Sequence, residues 1–443
     1  MIFAAPRFVV VDDKAEHLKA IVDVFQTLGS PCIGVHYDPK KDLDASVFSG
    51  VRVLFMDLHL VDGAATTDQT RHYASIASLL ETNLSATGGP YVLVIWTEHP
   101  QHKDELREYL DKALDPEKPH LFPLAVLALS KTSYIDTSSG ATKDASALRK
   151  AVLESVEQNP QMAALLTWEA DVLAAAGDTL AQLQALVPAA SRSSATYPAA
   201  LNDLLSLLAR EAVGKKNVNA DPRSALNHIL VPLLADRILN AATSKDTKEI
   251  WKKAVTRAED PKLSNADDAA SALINGMLHV ALPDAETIPP DAWGAIVEVP
   301  EKWLTDEGLS GFFDLNKNQL LTDVFKIKPE KFQDVGWFLI RIGAACDYAQ
   351  KRAGPVPYVL TMAVPKDGRS KGMKLPEAEW TSPLLMQTET GPYYLSSNSR
   401  FILSLTQKTI KDLKVLGRLR EQILMELIVH ASSYTARPGI IRV

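Results

Sequence analysis

Five short apolar runs in the first 130 residues constrain the fold more than any other feature of this 443-residue chain. They are Arg7–Asp13 (RFVVVDD), Cys32–His36, Val51–Met56, Tyr91–Trp96 (YVLVIW) and Leu124–Leu129 (LAVLAL). Apart from the polar ends, they lack the polar alternation of a half-exposed strand, which is the pattern of strands buried on both faces. Amphipathic stretches lie between them. Leu18, Ile21, Val22, Phe25 and Leu28 recur at helical spacing and stop at Gly29, a helix C-cap signal. Further helices are expected up to about Leu84 and near His102–Ala113. Strands alternating with helices imply a parallel sheet covered on both sides.

Each expected strand on which chemistry could rest ends in a polar residue. The first closes on Asp12-Asp13, the third on Asp57, the fourth on Thr97 and the fifth on Ser130-Lys131. Open parallel sheets bind ligands outside those strand ends, where the strand order reverses. With the order 2-1-3-4-5, strands one and three are neighbours and three carboxylates meet. Like charges in close proximity raise one another's pKa, and a divalent cation with oxygen ligands, Mg²⁺ for instance, removes the repulsion. Lys131 and Thr97 then offer a cation and a hydroxyl to a phosphoryl group on Asp57. Simpler roles compete. Asp13 with Glu16 reads as a capping box for the first helix, Thr97 as the cap of the helix that follows it, and Lys131 as a solvated lysine. His59, His99 and His102 match no strong ligand spacing and read as loop histidines near a cleft.

The motifs "VVVDD", "LFMDLHLVDG", "VIWT" and "LALSK", in this order and on these elements, make residues 1–142 resemble the receiver domain of two-component response regulators. The resemblance implies a flavodoxin-like (βα)5 fold. It implies that Asp12, Asp13, Asp57 and the backbone carbonyl of His59 hold Mg²⁺. Asp57 is then the phosphoacceptor, Thr97 and Lys131 contact the phosphate, and His59 and His99 stand where side chains tune hydrolysis of the aspartyl phosphate. The sequence departs from the family at Val61 and Thr132, where prolines are usual, and at the early Asp62-Gly63 pair. It departs again at Ala128, where the switch aromatic belongs.

The remainder carries no P-loop, dinucleotide turn or HExxH motif. Ala- and Leu-rich helical patterns fill a middle region, 143–285. Short β-rich runs such as "GWFLIRIG", "VPYVLTMAV", "SPLLMQT" and "SRFILSLT" fill 286–443, an expected small α+β, partly barrel-like domain. "GWFLIRIG" could equally be buried helix. The spacing of Leu413, Leu416, Leu419, Ile423 and Leu427 predicts a last helix from about Thr409 to Ala431, with Arg418 and Arg420 on its solvated side. Cys346 reads as a small buried hydrophobe. Residues 418–440, "RLREQILMELIVHASSYTARPGI", are similar to tails of bacterial proteins from phage-defence gene clusters.

Charge narrows the partners. Residues 1–140 hold 12 Lys+Arg against 19 Asp+Glu, while the remaining 35 of each sign, out of 47 and 54, balance. That acidic surplus argues against nucleic acid as a ligand of the first third. No run is long and apolar enough for a membrane span, and neither a signal peptide nor a disulfide scaffold is evident, so a cytoplasmic location is expected. The expected function is a phosphate-accepting signalling protein rather than a recognised enzyme. Its expected partners are a histidine kinase or phosphotransfer protein and a downstream protein, with a homodimer left open. A phosphorylation-independent scaffold and a receiver-regulated effector are the alternatives.

Overall fold

The computed structural model describes residues 6–60, 69–283, 288–370 and 372–437. Val61, Asp62 and Gly63, the departures after Asp57, lie outside the described residues. The chain forms two compact units, 1–181 with 234–260, and 182–233 with 261–443.

In the first unit, β1 (Phe8–Asp12), β2 (Cys32–His36), β3 (Val53–Met56), β4 (Val92–Thr97) and β5 (Val126–Ser130) form one sheet in the order β2-β1-β3-β4-β5. All its pairings are parallel. Side chains alternate between faces along a strand, and both faces of β1, β3 and β4 are buried, whereas β2, at the edge of the sheet, is largely exposed, contrary to the expectation for Cys32–His36. Val9, Val11, Leu54, Met56, Leu93 and Ile95 enter one core, while Val10, Val53, Phe55, Val92, Val94 and Trp96 enter the other. This accounts for the unbroken apolar runs.

Helix α1 (Ala15–Thr27) brings Ile21, Val24 and Phe25 to the second core. It ends as expected at Gly29, where Gly29 N–H donates to Gln26 O and Ser30 N–H to Phe25 O, a Schellman closure. Helices α2 (Gln69–Asn83) and α3 (Lys103–Ala113) cover the first core. Between β2 and β3 the chain makes a 3-10 turn, Ala45–Phe48, among the described residues, and Phe48 joins the core there. After β5 come the single turn α4 (Lys131–Tyr134), then α5 (Ala145–Glu157) and α6 (Pro160–Leu186). Glu169 of α6 pairs with Arg7 at 3.0 Å and Arg52 at 2.7 Å. Both arginines precede strands, so this tie lies at the end of the sheet opposite the strand C-termini.

The helical stretch continues with α7 (Tyr197–Val213), α8 (Pro222–Asn240), α9 (Lys245–Ala254) and α10 (Asp268–His279). It is divided between the units: α5 and α9 belong to the first, α7 and α10 to the second. None of the helices among the described residues is long and apolar enough to cross a membrane.

The second unit is built on a seven-stranded, near-barrel antiparallel sheet. Its strands are β6 (Val280–Ala281), β7 (Ala295–Glu298), β8 (Gly336–Arg341), β9 (Val356–Pro365), β10 (Glu379–Thr388), β11 (Gly391–Leu405) and β12 (Val415–Leu419), in the order β10-β11-β9-β8-β7-β12-β6. "GWFLIRIG" is therefore strand. Helices α11 (Asp306–Phe313), α12 (Lys317–Gln319) and the π-helical turn Leu320–Val324 lie between β7 and β8. Helices α13 (Ala345–Ala349) and α14 (Gln407–Ile410) are short, and α15 (Glu421–Thr435) follows β12.

Two expectations are corrected here. The last helix does not begin near Thr409: residues 415–419 are strand β12, paired with β7 and β6. The leucine spacing misleads because Leu413 packs into one core of the sheet while Leu416 and Leu419 pack into the other. Pairing on both edges overrides local propensity. Cys346 is exposed rather than buried, because it falls on α13, beyond the end of β8.

Candidate phosphoacceptor and metal site

The parallel register decides which carboxylates meet. Val11 of β1 lies opposite Met56 of β3, so the next residue on each strand, Asp12 and Asp57, emerge side by side. The Asp57 N–H donates to Val11 O at 3.0 Å, which holds the chain there after β3 has ended. Asp12 and Asp57 are both buried. One oxygen from each of Asp12, Asp13 and Asp57 lies within 4.8 Å of the other two.

Lys131 enters from across the sheet. It starts α4 immediately after β5, and its side chain is 2% exposed. Its Nζ stands 2.8 Å from Asp12 Oδ2 and 2.7 Å from Asp57 Oδ2. The Asp12 contact has ion-pair distance without hydrogen-bond geometry, and Asp13 Oδ1 is buried with no hydrogen-bond partner among the described residues. One ammonium is thus shared by two of the three clustered carboxyl groups. Burial pushes the Asp12 carboxyl up to about 6; Lys131 opposes this and the charge of Asp57 adds to it.

The simpler roles do not hold. Helix α1 takes Lys14 as its N-cap, with no side-chain cap bond, so Asp13 and Glu16 form no capping box. The helix starts one residue later than that motif requires, and it is Asp12 Oδ1 that accepts from a backbone N–H, that of Lys14, at 2.9 Å. Thr97 caps no helix. A 3-10 turn, Pro100–His102, separates it from α3, whose N-cap is His102. Thr97 is buried at the end of β4, beside Ser130 in register, and its Oγ1 accepts from His99 N–H at 3.1 Å. Lys131 is not solvated.

The histidines gather beside the acids. His59 N–H donates to Asp57 Oδ1 at 3.3 Å. Its ring lies 4.5 Å from that of His72 and 5.2 Å from that of His99, and His99 lies 6.2 Å from His102. Burial, and then His72, hold the His59 imidazole below its ordinary pKa, favouring the neutral ring. His72 is a member the sequence reading missed. It occupies a buried position on α2 next to Tyr73 and Ile76, where a histidine on a core-facing stripe was the only signal. Glu105 was missed too; its Oε2 accepts from Tyr73 OH at 2.8 Å and lies 3.1 Å from His102 Nδ1. The acids form the single cluster of three or more cation-binding side chains among the described residues, so the histidines line the site without forming a second metal centre.

Buried carboxylates that share one lysine have excess negative charge and too few donors. A hard divalent cation bound by oxygen would supply what they lack. Comparison with models of known families, with curated proteins and with solved structures returns no match.

Proposed function

We propose that the first unit is a flavodoxin-like, receiver-type phosphoacceptor that takes a phosphoryl group on Asp57 with Mg²⁺. The observation that carries this reading is the convergence of Asp12, Asp13, Asp57 and Lys131 at the C-terminal ends of parallel strands β1, β3 and β5.

Asp12, Asp13, Asp57 and the His59 carbonyl would hold the ion, which when bound neutralises the acids and the incoming phosphate. An Asp57 carboxylate oxygen attacks the phosphorus of a phosphohistidine or an acyl phosphate. The P–O bond to Asp57 forms as the P–N or P–O bond to the donor breaks, and the donor leaves with the electron pair. Lys131 moves its charge from the carboxylates toward the phosphoryl oxygens, and the Thr97 hydroxyl donates to one of them. His59 and His99 flank the aspartyl phosphate and set how readily water reaches it.

The chain then acts as a cytoplasmic response regulator in a bacterial, defence-type two-component system. A histidine kinase is its donor and a protein that meets the second unit is its target. Incubation with acetyl phosphate and Mg²⁺, read by intact mass, tests the chemistry. One phosphoryl group should be gained by the native chain and none by Asp57→Asn. An equal gain in both would remove Asp57 from the reaction.

A second reading has its own support. Ala128 stands in the place of the switch aromatic, and Lys131 opens a helical turn with Thr132 inside it. A phosphorylation-independent docking scaffold needs neither residue to move. In the effector alternative, activity would sit in the second unit, where a hollow of about 220 Å³ is lined by Asp323, Glu377, Asn398, Arg400 and Tyr434.

A further inference from the structure

Six Asp, Glu, Lys or Arg side chains are buried among the described residues: Asp12, Asp57, Lys131, Arg341, Arg369 and Glu379. All but Arg341 are held in ion pairs, Lys131 with Asp12 and Asp57, and Arg369 with Glu379. Arg341, at the end of β8, is 5% exposed, and its Nε and Nη1 have no hydrogen-bond partner among the described residues. Asp291 and Asp347 are near enough to support its charge. Asp347 is engaged by Arg352 at 3.2 Å, and neither acid forms an ion pair with Arg341 among the described residues. Buried charges are normally paired, because taking an ion out of water is costly.

The register of the sheet gives Arg341 a companion. Ile340 pairs with Ile296, which puts Arg341 beside Ala295 of β7, and Ala295 pairs on its other side with Arg418 of β12. Tyr358 of β9 pairs with Arg341. Directly paired residues share a face, so Tyr358, Arg341, Ala295 and Arg418 form one row, with an arginine on either side of a methyl group. Arg418 is half-buried and makes no ion pair among the described residues. The Arg341 guanidinium lies 5.2 Å from the centre of the Tyr348 ring. Tyr348 in turn lines a hollow of about 140 Å³ together with Lys351, Ser224 and His228. Burial raises the Tyr348 phenol above its ordinary pKa, with Asp291 adding to this and Arg341 and Arg418 opposing it, so the hydroxyl keeps its proton and can donate.

We propose that Arg341 and Arg418 form an oxyanion site in the second unit that takes a phosphate group, with Tyr348 as the wall it shares with the hollow. Guanidinium forks match the oxygens of a phosphate, and two of them suit a dianion better than a single carboxylate. Tyr348 adds a neutral donor and Lys351 a third cation. Stacking on Tyr348 does not by itself account for Arg341. A ring contact leaves Nε and Nη1 unpartnered, and an apolar side chain would fill the same place without the cost of burying a charge. The residues involved all belong to the second unit, so the site is independent of the phosphoacceptor reading of the first.

The test is calorimetric titration of the full chain with inorganic phosphate in metal-free buffer, where the carboxylates of the first unit repel the anion. One phosphate per chain is expected. Arg341→Met and Arg418→Gln should each weaken binding at least ~10-fold, and acetate should bind the native chain at least ~10-fold more weakly than phosphate. Melting curves separate binding from folding. Phosphate should raise the melting temperature of the native chain. Without phosphate, Arg341→Met should melt no lower than the native chain, since it removes a buried charge that has no ion-pair partner. Arg418 is only half-buried, so Arg418→Gln remains decisive even if Arg341→Met melts early. A native chain that binds no phosphate would overturn the proposal. So would phosphate affinity unchanged in Arg418→Gln, or acetate bound as tightly as phosphate.

Discussion

Lys131 is the residue on which the charge balance of the acid site turns. It is the one ammonium within ion-pair reach of both Asp12 and Asp57 among the described residues. Removing one partner of a buried pair typically costs ~3–5 kcal/mol. In Lys131→Met, urea unfolding without added metal should show a loss of that order, smaller when Mg²⁺ is saturating because the ion takes over the neutralisation. Asp12 adds a pH dependence. Folding raises its carboxyl from 3.8 to about 6, so the folded chain binds that proton more tightly than the unfolded one. This contribution to stability is therefore present at acid pH and is lost as pH rises from about 4 to about 6, an effect of ~3 kcal/mol. A proton on Asp12 also competes with the metal. Mg²⁺ affinity should fall ~10-fold between pH 7.5 and pH 5, and calorimetric titration at the two values should show it. The same slope in Asp12→Asn would place the titrating group elsewhere. The four charged residues were legible because each directly follows an apolar run, or ends one, at a strand end. His72 was not, since it meets the His59 ring from a helix whose rotation only the packed sheet sets.

At the scale of elements, the central parallel strands β1, β3 and β4 were readable because burial on both faces leaves an unbroken apolar signature. Strand β12 was not readable, because leucines three apart satisfy a helical stripe and the pairing that makes them strand comes from β6 and β7, more than 100 residues earlier in the chain. Gly417 separates the two readings by the sign of one substitution. In a helix, Gly417→Ala would stabilise by ~1 kcal/mol. In β12 the added Cβ would meet Ala281 O at 2.8 Å, so the variant should lose ~1–3 kcal/mol in a denaturant titration. The capping box at Asp13 and Glu16 failed for a related reason. Its residues are correct, but the helix starts at Ala15 and frees Asp13 to face the other acids.

Across the whole molecule, the acidic surplus of the first third pointed to the unit that holds the acid cluster, although most of that charge lies on the surface. The division of the helical middle between two units could not be read, because it depends on non-local contacts and not on composition. Ligand linkage gives this scale its prediction. An ion that binds the folded chain alone at 100 times its Kd stabilises it by ~2.7 kcal/mol. Mg²⁺ should therefore raise the temperature of the transition that involves the first unit. The account rests on three carboxylates gripping one divalent ion beside the phosphoacceptor, and Mg²⁺ titration by calorimetry tests this most directly. One ion per chain is expected for the native protein, with binding lost in both Asp13→Asn and Asp57→Asn. No binding to the native chain, or binding unchanged in both variants, would contradict it.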